Sequence, residues 1–485
     1  MAMCGQNHRA NNMRIKSKIV HCILITIAIV VASARYSNLF AQQATLPLSQ
    51  AIKTGLMNYQ SIAAKRNLIN SSQALVRNTK NEYLPNVVAS LQQDYGTVNG
   101  QFGPFSTYGA AGVASAGPVY NSQVWNAGFG SSYILNTNWE VFTFGRLTSK
   151  INLSQAQVKR DSADYVQEEF IQSVKISGTY LDLLIAQKLV ENAQANLDRT
   201  LSIQKTVLAR TLSGLNAGVD SSIANSEVSG ARLSLINAQD YELQIRNQLA
   251  QLLNADPSSL FILDSNYFKK IPADFQTTNN VNENPQVKYY QSLIDQSNKT
   301  TDYIRKSILP GVNLFGIFQS RGSGFGYNYD PSNSDSYSKK YTDGINPIRS
   351  NYAAGVSLAW NILSIKKVKE QATAQKYITE AYRNQYDLVS TQLKDQLVLA
   401  DQRIQNSLLS FKEVPVQYKA ASDAYLQKSV LYKNGLTNIV DLQQALYALN
   451  KAETDLGVAY IRVWQALLLK AAASGDFDLF LRQVQ

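Results

Sequence analysis

Asp220 and Asp441 are the two residues whose setting first suggests a task. Each stands six residues after a glycine, Gly214 or Gly435, that is itself followed by a leucine, Leu215 or Leu436. Each then opens a long run of helical apolar spacing. A carboxylate there meets the unpaired N–H groups and positive dipole end of a helix, so its first role is to favour the helix start. Acid–base catalysis is a poorer fit. The two cysteines, Cys4 and Cys22, and the two histidines, His8 and His21, all lie before residue 42. A chain that loses this segment has no thiol nucleophile, disulfide, Cys/His zinc site or His-based mechanism. Carboxylate-only chemistry would remain, but no motif carries it. No enzyme activity, cofactor or metal is expected.

The stretches around the aspartates are copies of each other. Gly214 to Ala238 and Gly435 to Ala459 align without a gap at an offset of 221 residues, and eight of the 25 positions are identical. Trp139 and Trp360 keep the same offset. Two halves of one design follow. Within the copies, Ala224, Val228, Ala231, Leu235 and Ala238 recur in steps of four and three, as do Ala445, Leu449, Ala452, Leu456 and Ala459. A seven-residue repeat predicts left-handed coiled coils, and alanine at the seam predicts close backbones. Periodicity alone would equally suit a buried helical hairpin of any all-α protein.

The copies lie between longer elements. Residues 1–41 read as a secretory signal: Arg14, Lys16 and Lys18 precede an apolar run from Ile19 to Ala32 that is short for a membrane span. Cleavage is expected after Ala34 or Ala41, and a start at Met13 gives a leader of ordinary shape. An uncleaved anchor helix is the alternative. The chain carries a net charge of +11, and five of its positive residues lie in this leader. The rest has a mild excess without a basic cluster, so no nucleic-acid binding is expected.

Residues 46–83 read as one helix ending before Leu84-Pro85; Val287–Ser307 reads the same way before Leu309-Pro310. The period then changes to two. Val87, Ala89, Leu91 and Tyr95 alternate with polar or small residues, as do Phe129, Tyr133, Leu135, Trp139 and Val141. The second half gives a weaker strand through Val312, Leu314 and Phe318 and a clear one through Tyr352, Ala354, Val356, Leu358, Trp360 and Ile362. Two strands of about ten residues per half suit a membrane β-barrel, although a soluble hairpin on helices shows the same alternation. Four strands cannot close around a lumen, so a barrel would need several chains. The polar, Tyr- and Gly-rich loops 96–124 and 320–350 separate the strands of each pair. Long helices are expected over 145–212 and 366–434, with Pro415 kinking or loosening the second, and shorter return helices from Asp220 and Asp441. The expected organisation is 1–41 signal peptide, 42–254 first repeat, 255–284 linker, 285–475 second repeat and 476–485 tail.

Helix, strand pair, very long helix, turn and return helix, performed twice behind a leader, resembles the TolC-type outer-membrane efflux family over about Leu46 to Ala473. The motifs are Leu46-x-Leu48-x-x-Ala51-Ile52, the two Leu-Pro strand starts, Trp139-x-x-Phe142 with Trp360-x-x-Leu363, and above all the turns, Tyr432 to Leu442 in particular. The resemblance implies a mainly α chain with a membrane β-barrel part. Three chains would form a 12-stranded β-barrel on an α-helical barrel. It implies a homotrimer in the outer membrane of a Gram-negative bacterium, reaching into the periplasm and passively passing cargo from an inner-membrane transporter and a periplasmic adaptor to the exterior. It places the gate at the two turns. Asp441 matches a ring-forming aspartate, and Gln444 stands where a second ring acid is usual, which halves the expected ring charge. Asp220 and Tyr432 match a pair whose link holds the closed tip. Thr437 occupies the position of the family's latch arginine. Gly214, Leu215, Gly435 and Leu436 match the adaptor-contacting tip. The competing reading is an exported coiled-coil adhesin or stalk, which accounts for leader and helices but not for paired strands with aromatic ends. A periplasmic adaptor would carry one hairpin rather than two repeated halves.

Overall fold

The computed structural model describes residues 45–100, 105–108, 111–114, 119–277 and 280–484. The expected signal peptide, with its cysteines and histidines, lies outside the described residues. The chain divides into two compact units, each assembled from both repeats: residues 61–168 with 281–392, and residues up to 60 with 169–280 and 393 onward.

The first unit is built on one antiparallel sheet. Its strands are β1 (Asn86–Thr97), β4 (Ala127–Phe142), β5 (Gly311–Ser323) and β6 (Arg349–Ala359), in the order β1-β4-β5-β6. A separate hairpin, β2 (Phe105–Tyr108) with β3 (Ala111–Ala114), lies in the loop between β1 and β4. The register puts Ala89 beside Leu135 and Leu135 beside Phe318. It also puts Leu314 beside Val356 and Phe318 beside Tyr352. These residues share one face, and the larger ones remain exposed: Leu91 63%, Leu135 45% and Val356 67%. The other face carries Ser90, Gln92, Asn136, Asn138 and Gln319, and Gln319 donates to Ser132 Oγ at 3.1 Å. Phe315 and Ile317 also fall on that face, which explains why β5 alternates weakly. The Phe315 ring lies across Gly355, where a Cβ would come within 2.7 Å of it.

Both Leu-Pro strand starts are held the same way. Trp139 Nε1 donates to Tyr83 O at 2.7 Å, and Trp360 Nε1 donates to Ile308 O at 2.9 Å. Each carbonyl belongs to the residue just before the Leu-Pro pair. The repeated tryptophans thus fasten the helix-to-strand corner as well as ending the apolar band.

The helices of this unit are α2 (Gln60–Asn81), the start of α3 (Arg146–Leu212), α5 (Pro285–Lys306) and the start of α7 (Ser364–Lys433). The short α6 (Tyr341–Ile345) lies at the Phe129–Tyr133 end of the sheet, where Ser131 and Tyr133 donate to Ile345 O at 3.0 and 2.9 Å. Lys65 pairs with Asp164 at 2.6 Å, and Ser297 meets Thr379 at 2.8 Å.

The second unit is helical. It holds α1 (Leu48–Asn58), the remainder of α3 and α7, α4 (Gly218–Leu253), α8 (Ile439–Ser474) and α9 (Phe477–Val484). The expected seam is present: Val228 and Ala231 pack on Leu197, and Ala224 packs on Val207. Alpha-8 is long and apolar enough to cross a membrane by length and composition. Its apolarity has a local cause, since Ile461, Trp464, Leu467, Leu468 and Ala471 all lie in the core of this unit.

Four details differ from expectation. The helix expected over 46–83 breaks at Tyr59, whose backbone is extended (φ −74°, ψ 120°), giving α1 and α2. Pro415 does not interrupt α7, which runs unbroken from Ser364 to Lys433; Pro415 is exposed, so water can satisfy the carbonyl its missing N–H would have served. The segment after Gly475 is helix α9, with Leu479 and Phe480 buried. Residues 255–277 are packed as well as connecting, since Leu263 and Tyr267 enter the core.

Candidate functional site

The two aspartates and their turns converge at one end of the helical unit. Each long helix ends at a glycine in the left-handed region, Gly214 (φ +74°) and Gly435 (φ +73°). The following leucine N–H reaches back, Leu215 to Arg210 O and Leu436 to Leu431 O, both at 2.8 Å. This is the glycine-terminated helix end of the Schellman type, which only a residue tolerant of positive φ closes without strain. The glycines differ in surroundings. A Cβ at Gly214 would meet nothing within 4 Å, whereas one at Gly435 would stand 3.2 Å from Arg210 Nη2.

The helices that follow start differently. Asn438 caps α8, its Oδ1 accepting from Asp441 N at 2.9 Å. Ala217 occupies the matching cap position of α4 and offers no side chain. Asn216, one residue earlier, instead turns its amide inward.

That amide is the centre of the site. Asn216 Nδ2 donates to Asp220 Oδ2 at 2.8 Å and to Tyr432 OH at 3.0 Å. Asp220 and Tyr432 are therefore brought together through a bridge. Arg210 supports it, donating through Nε to Asn216 Oδ1 at 2.9 Å and through Nη1 to Lys433 O at 3.2 Å. Its guanidinium lies 5.7 Å from the centre of the Tyr432 ring, within cation–π range. Tyr432 is buried together with Val207, Ala224, Ile439 and Leu442. Burial pushes its hydroxyl pKa up, and the Asn216 hydrogen bond offsets part of this.

Asp441 has different partners. Its Oδ2 accepts from Lys428 Nζ at 2.7 Å and from Thr437 Oγ1 at 3.0 Å. Gln444 is exposed one turn further along. The hydrogen bond from Lys428, then that from Thr437, holds the Asp441 carboxyl below the usual carboxylate range. Its contribution is present above the unfolded value and is lost as pH falls through the lowered folded value. The Lys428–Asp441 pair is thus expected to stay intact as pH falls through the ordinary carboxylate range and to break only below it. The carboxyl carbon shift of Asp441, followed by NMR, should show that low midpoint and move upward in Lys428→Gln. An ordinary midpoint in the unaltered protein would refute the pairing.

Leu215 and Leu436 are 69% and 72% exposed, and Val219 and Val440 stand out beside them. Gly214 and Gly435 are exposed at the same end. Three residues of the site were not read from the sequence: Arg210, Asn216 and Lys428. The internal repeat contained a signal for one. Asn216 matches Thr437 at the 221-residue offset, and each contacts the aspartate four residues on. Nothing of the kind marks Arg210 or Lys428, whose repeat partners are Leu431 and Val207. Among the described residues no group of three or more His, Cys, Asp or Glu could hold a metal ion.

Comparison with known proteins bears on both sequence and fold. The sequence model of the outer membrane efflux protein family matches residues 51–255. No curated protein sequence matches the chain. Among solved structures, the outer membrane protein VceC of Vibrio cholerae is 15% identical, with a TM-score of 0.67 over 88% of this chain and 96% of its own. The CmeC outer membrane channel of Campylobacter jejuni is 13% identical, with a TM-score of 0.70 over 88% and 85%. The MtrE outer membrane channel of Neisseria gonorrhoeae, solved in its open state, is 16% identical, with a TM-score of 0.65 over 89% of each chain. The resemblance to the TolC-type outer-membrane efflux family thus holds in sequence across most of the first repeat and in fold across both.

Proposed function

We propose that this chain, a TolC-type outer-membrane efflux protein by family resemblance and fold, is the exit duct of a tripartite efflux or secretion system. Three copies form a passive channel that spans the outer membrane, reaches into the periplasm and conducts cargo delivered by an inner-membrane transporter through an adaptor. No catalytic step is assigned to it.

The observation that carries this reading is the sheet. Four long strands present a continuous exposed apolar band, and β1 and β6 end the sheet with unpaired backbone edges. Edges of this length are a template for aggregation in water and are removed by closure. Pairing β6 of one chain with β1 of the next closes twelve strands around an aqueous lumen, with the apolar face toward lipid and the Gln-, Asn- and Ser-bearing face inward. An exported stalk would have no use for this band. Light scattering on the detergent-extracted protein, together with planar-bilayer recording, tests the reading: a trimeric mass and discrete conductance steps are expected. A monomer without conductance would leave the adhesin reading ahead.

The gate is assigned to the two turns. Asp220, Asn216 and Tyr432, clamped by Arg210, hold the two hairpins of one chain together at the tip. Asp441 and Gln444 line the narrow entrance, and the exposed Gly214, Leu215, Gly435 and Leu436 meet the adaptor. The family's latch arginine is replaced by Thr437, and Arg210 supplies a guanidinium from the other hairpin.

Asn216→Ala breaks both arms of the bridge, whereas Tyr432→Phe breaks one. Only the Tyr432 arm crosses between the hairpins. A neutral hydrogen bond is worth about 0.5–1.5 kcal/mol, so its loss should raise the open fraction about two- to tenfold. Asn216→Ala also frees Arg210, which contacts the second hairpin at Lys433 O. Cells carrying Asn216→Ala should become sensitive to large antibiotics, Tyr432→Phe cells less so. Unchanged sensitivity at equal trimer levels would remove the bridge from the gate.

A further inference from the structure

The charges at the tip do not suit a cation-binding entrance. Over residues 203–224 and 425–446, the level of the Val207–Tyr432 cluster, the basic residues are Lys205, Arg210, Lys428 and Lys433 and the acidic ones are Asp220 and Asp441. The net charge is +2 per chain, hence +6 for three chains.

How the acids are used matters more than their number. Asp441 is neutralised within its own chain by Lys428 at 2.7 Å, with Thr437 on the same oxygen. Asp220 is occupied by the Asn216 amide. Gln444 brings no charge. The basic groups are not balanced in this way. Arg210 has only uncharged partners: an amide oxygen, a backbone carbonyl and the Tyr432 ring. Lys205 and Lys433 are exposed, and neither forms an ion pair among the described residues.

We infer that the tip is an anion-selecting entrance whose cargo is anionic, with Lys428 cancelling Asp441, Arg210 facing Asp220 across the Asn216 amide, and Lys433 and Lys205 supplying the uncompensated field. This rests on the channel reading above. Rings of basic side chains favour anions in a pore as rings of acids favour cations. The field of such a ring reaches about 10 Å at 0.1 M salt, so a narrow tip would be under its influence. Lys428→Gln removes one charge per chain and also releases Asp441, which lowers the net charge of three chains from +6 to +3 and creates a ring of three free carboxylates.

The test is the reversal potential of purified trimers in planar bilayers under a KCl gradient, with a trivalent cation then added on the tip side. The unaltered protein should be more permeable to chloride than to potassium and indifferent to the trivalent cation. Lys428→Gln, which leaves the net charge positive but frees the Asp441 carboxylates, should weaken the preference and introduce block. Lys428→Arg should keep the original behaviour. Lys433→Gln, at an exposed position without ion pairing, should weaken anion preference without introducing block, and it serves if Lys428→Gln fails to assemble. Potassium preference in the unaltered protein, or reversal potentials unmoved by both glutamine variants, would overturn the inference; in the latter case the basic residues would instead serve docking of an acidic partner. Absence of any discrete conductance would count against the channel reading itself.

Discussion

Leu135→Arg should abolish the assembled trimer, while Asn136→Arg, one residue on, should leave it able to form. Leu135 lies in the middle of β4, between Ala89 of β1 and Phe318 of β5, on the face that carries the apolar band. It is 45% exposed within its own chain. An arginine near the bilayer midplane of a β-barrel costs about 2–4 kcal/mol. Three symmetric copies would lose about three times that, comparable to the whole stability of an ordinary domain. Asn136 points to the opposite face, which is the lumen side if the barrel closes as proposed. The measurement is the fraction of protein migrating as heat-resistant trimer in outer-membrane extracts. Equal assembly of the two variants would mean that the Leu135 face does not meet lipid, and the sheet would revert to a soluble one.

Tyr180→Ala should be the most damaging single change in the helical unit. Tyr180 is fully buried and joins three segments. Its hydroxyl donates to Leu46 O at 2.7 Å and accepts from Asp264 N at 3.0 Å, while its ring stands 5.9 Å from that of Tyr267. Tyr267 in turn packs edge-on to Trp464 at 5.0 Å, and Trp464 donates to Lys270 O at 3.1 Å. Burial pushes the Tyr180 hydroxyl up to about 12, so it stays protonated across the working pH range and keeps donating. Removing a large buried aromatic costs about 3–5 kcal/mol. Orphaning the two backbone groups adds about 1–3 kcal/mol for each. Tyr180→Phe keeps the ring and loses only the second contribution. Thermal unfolding should rank the unaltered protein above Tyr180→Phe and Tyr180→Phe above Tyr180→Ala. Limited proteolysis should cut first within residues 255–277, the segment Tyr180 fastens. A Tyr180→Phe protein as stable and as protease-resistant as the original would show that the hydroxyl anchors nothing.

Asp220, Tyr432 and Asp441 are recognisable because each has a fixed distance from a glycine, and fixed local distances survive as pattern. The residue that joins Asp220 to Tyr432 is Asn216, 216 positions from Tyr432. Arg210 reaches Lys433 across 223 positions. Neither contact has a period, so nothing along the chain announces it. The same limit explains the linker and the tail. Leu263, Tyr267 and Phe480 look isolated in sequence, because their partners Tyr180 and Trp464 sit in distant helices.

The two repeats, the coiled-coil seam through Ala224, Val228 and Ala231, the alternating strands and the two glycine-closed turns are all legible along the chain. Each of these is set by local physics: a period that places apolar side chains on one face, or a backbone angle that only glycine takes freely. Three features come only from how the chain packs. Packing set which edges of the four-stranded sheet remain open. It chose Asn216 and Arg210 to bind one hairpin to the other. It paired Asp441 with Lys428 from the preceding helix. The reason is that a charge or amide acts on whatever lies within a few ångströms, and that neighbour is fixed by how helices pack rather than by their order along the chain.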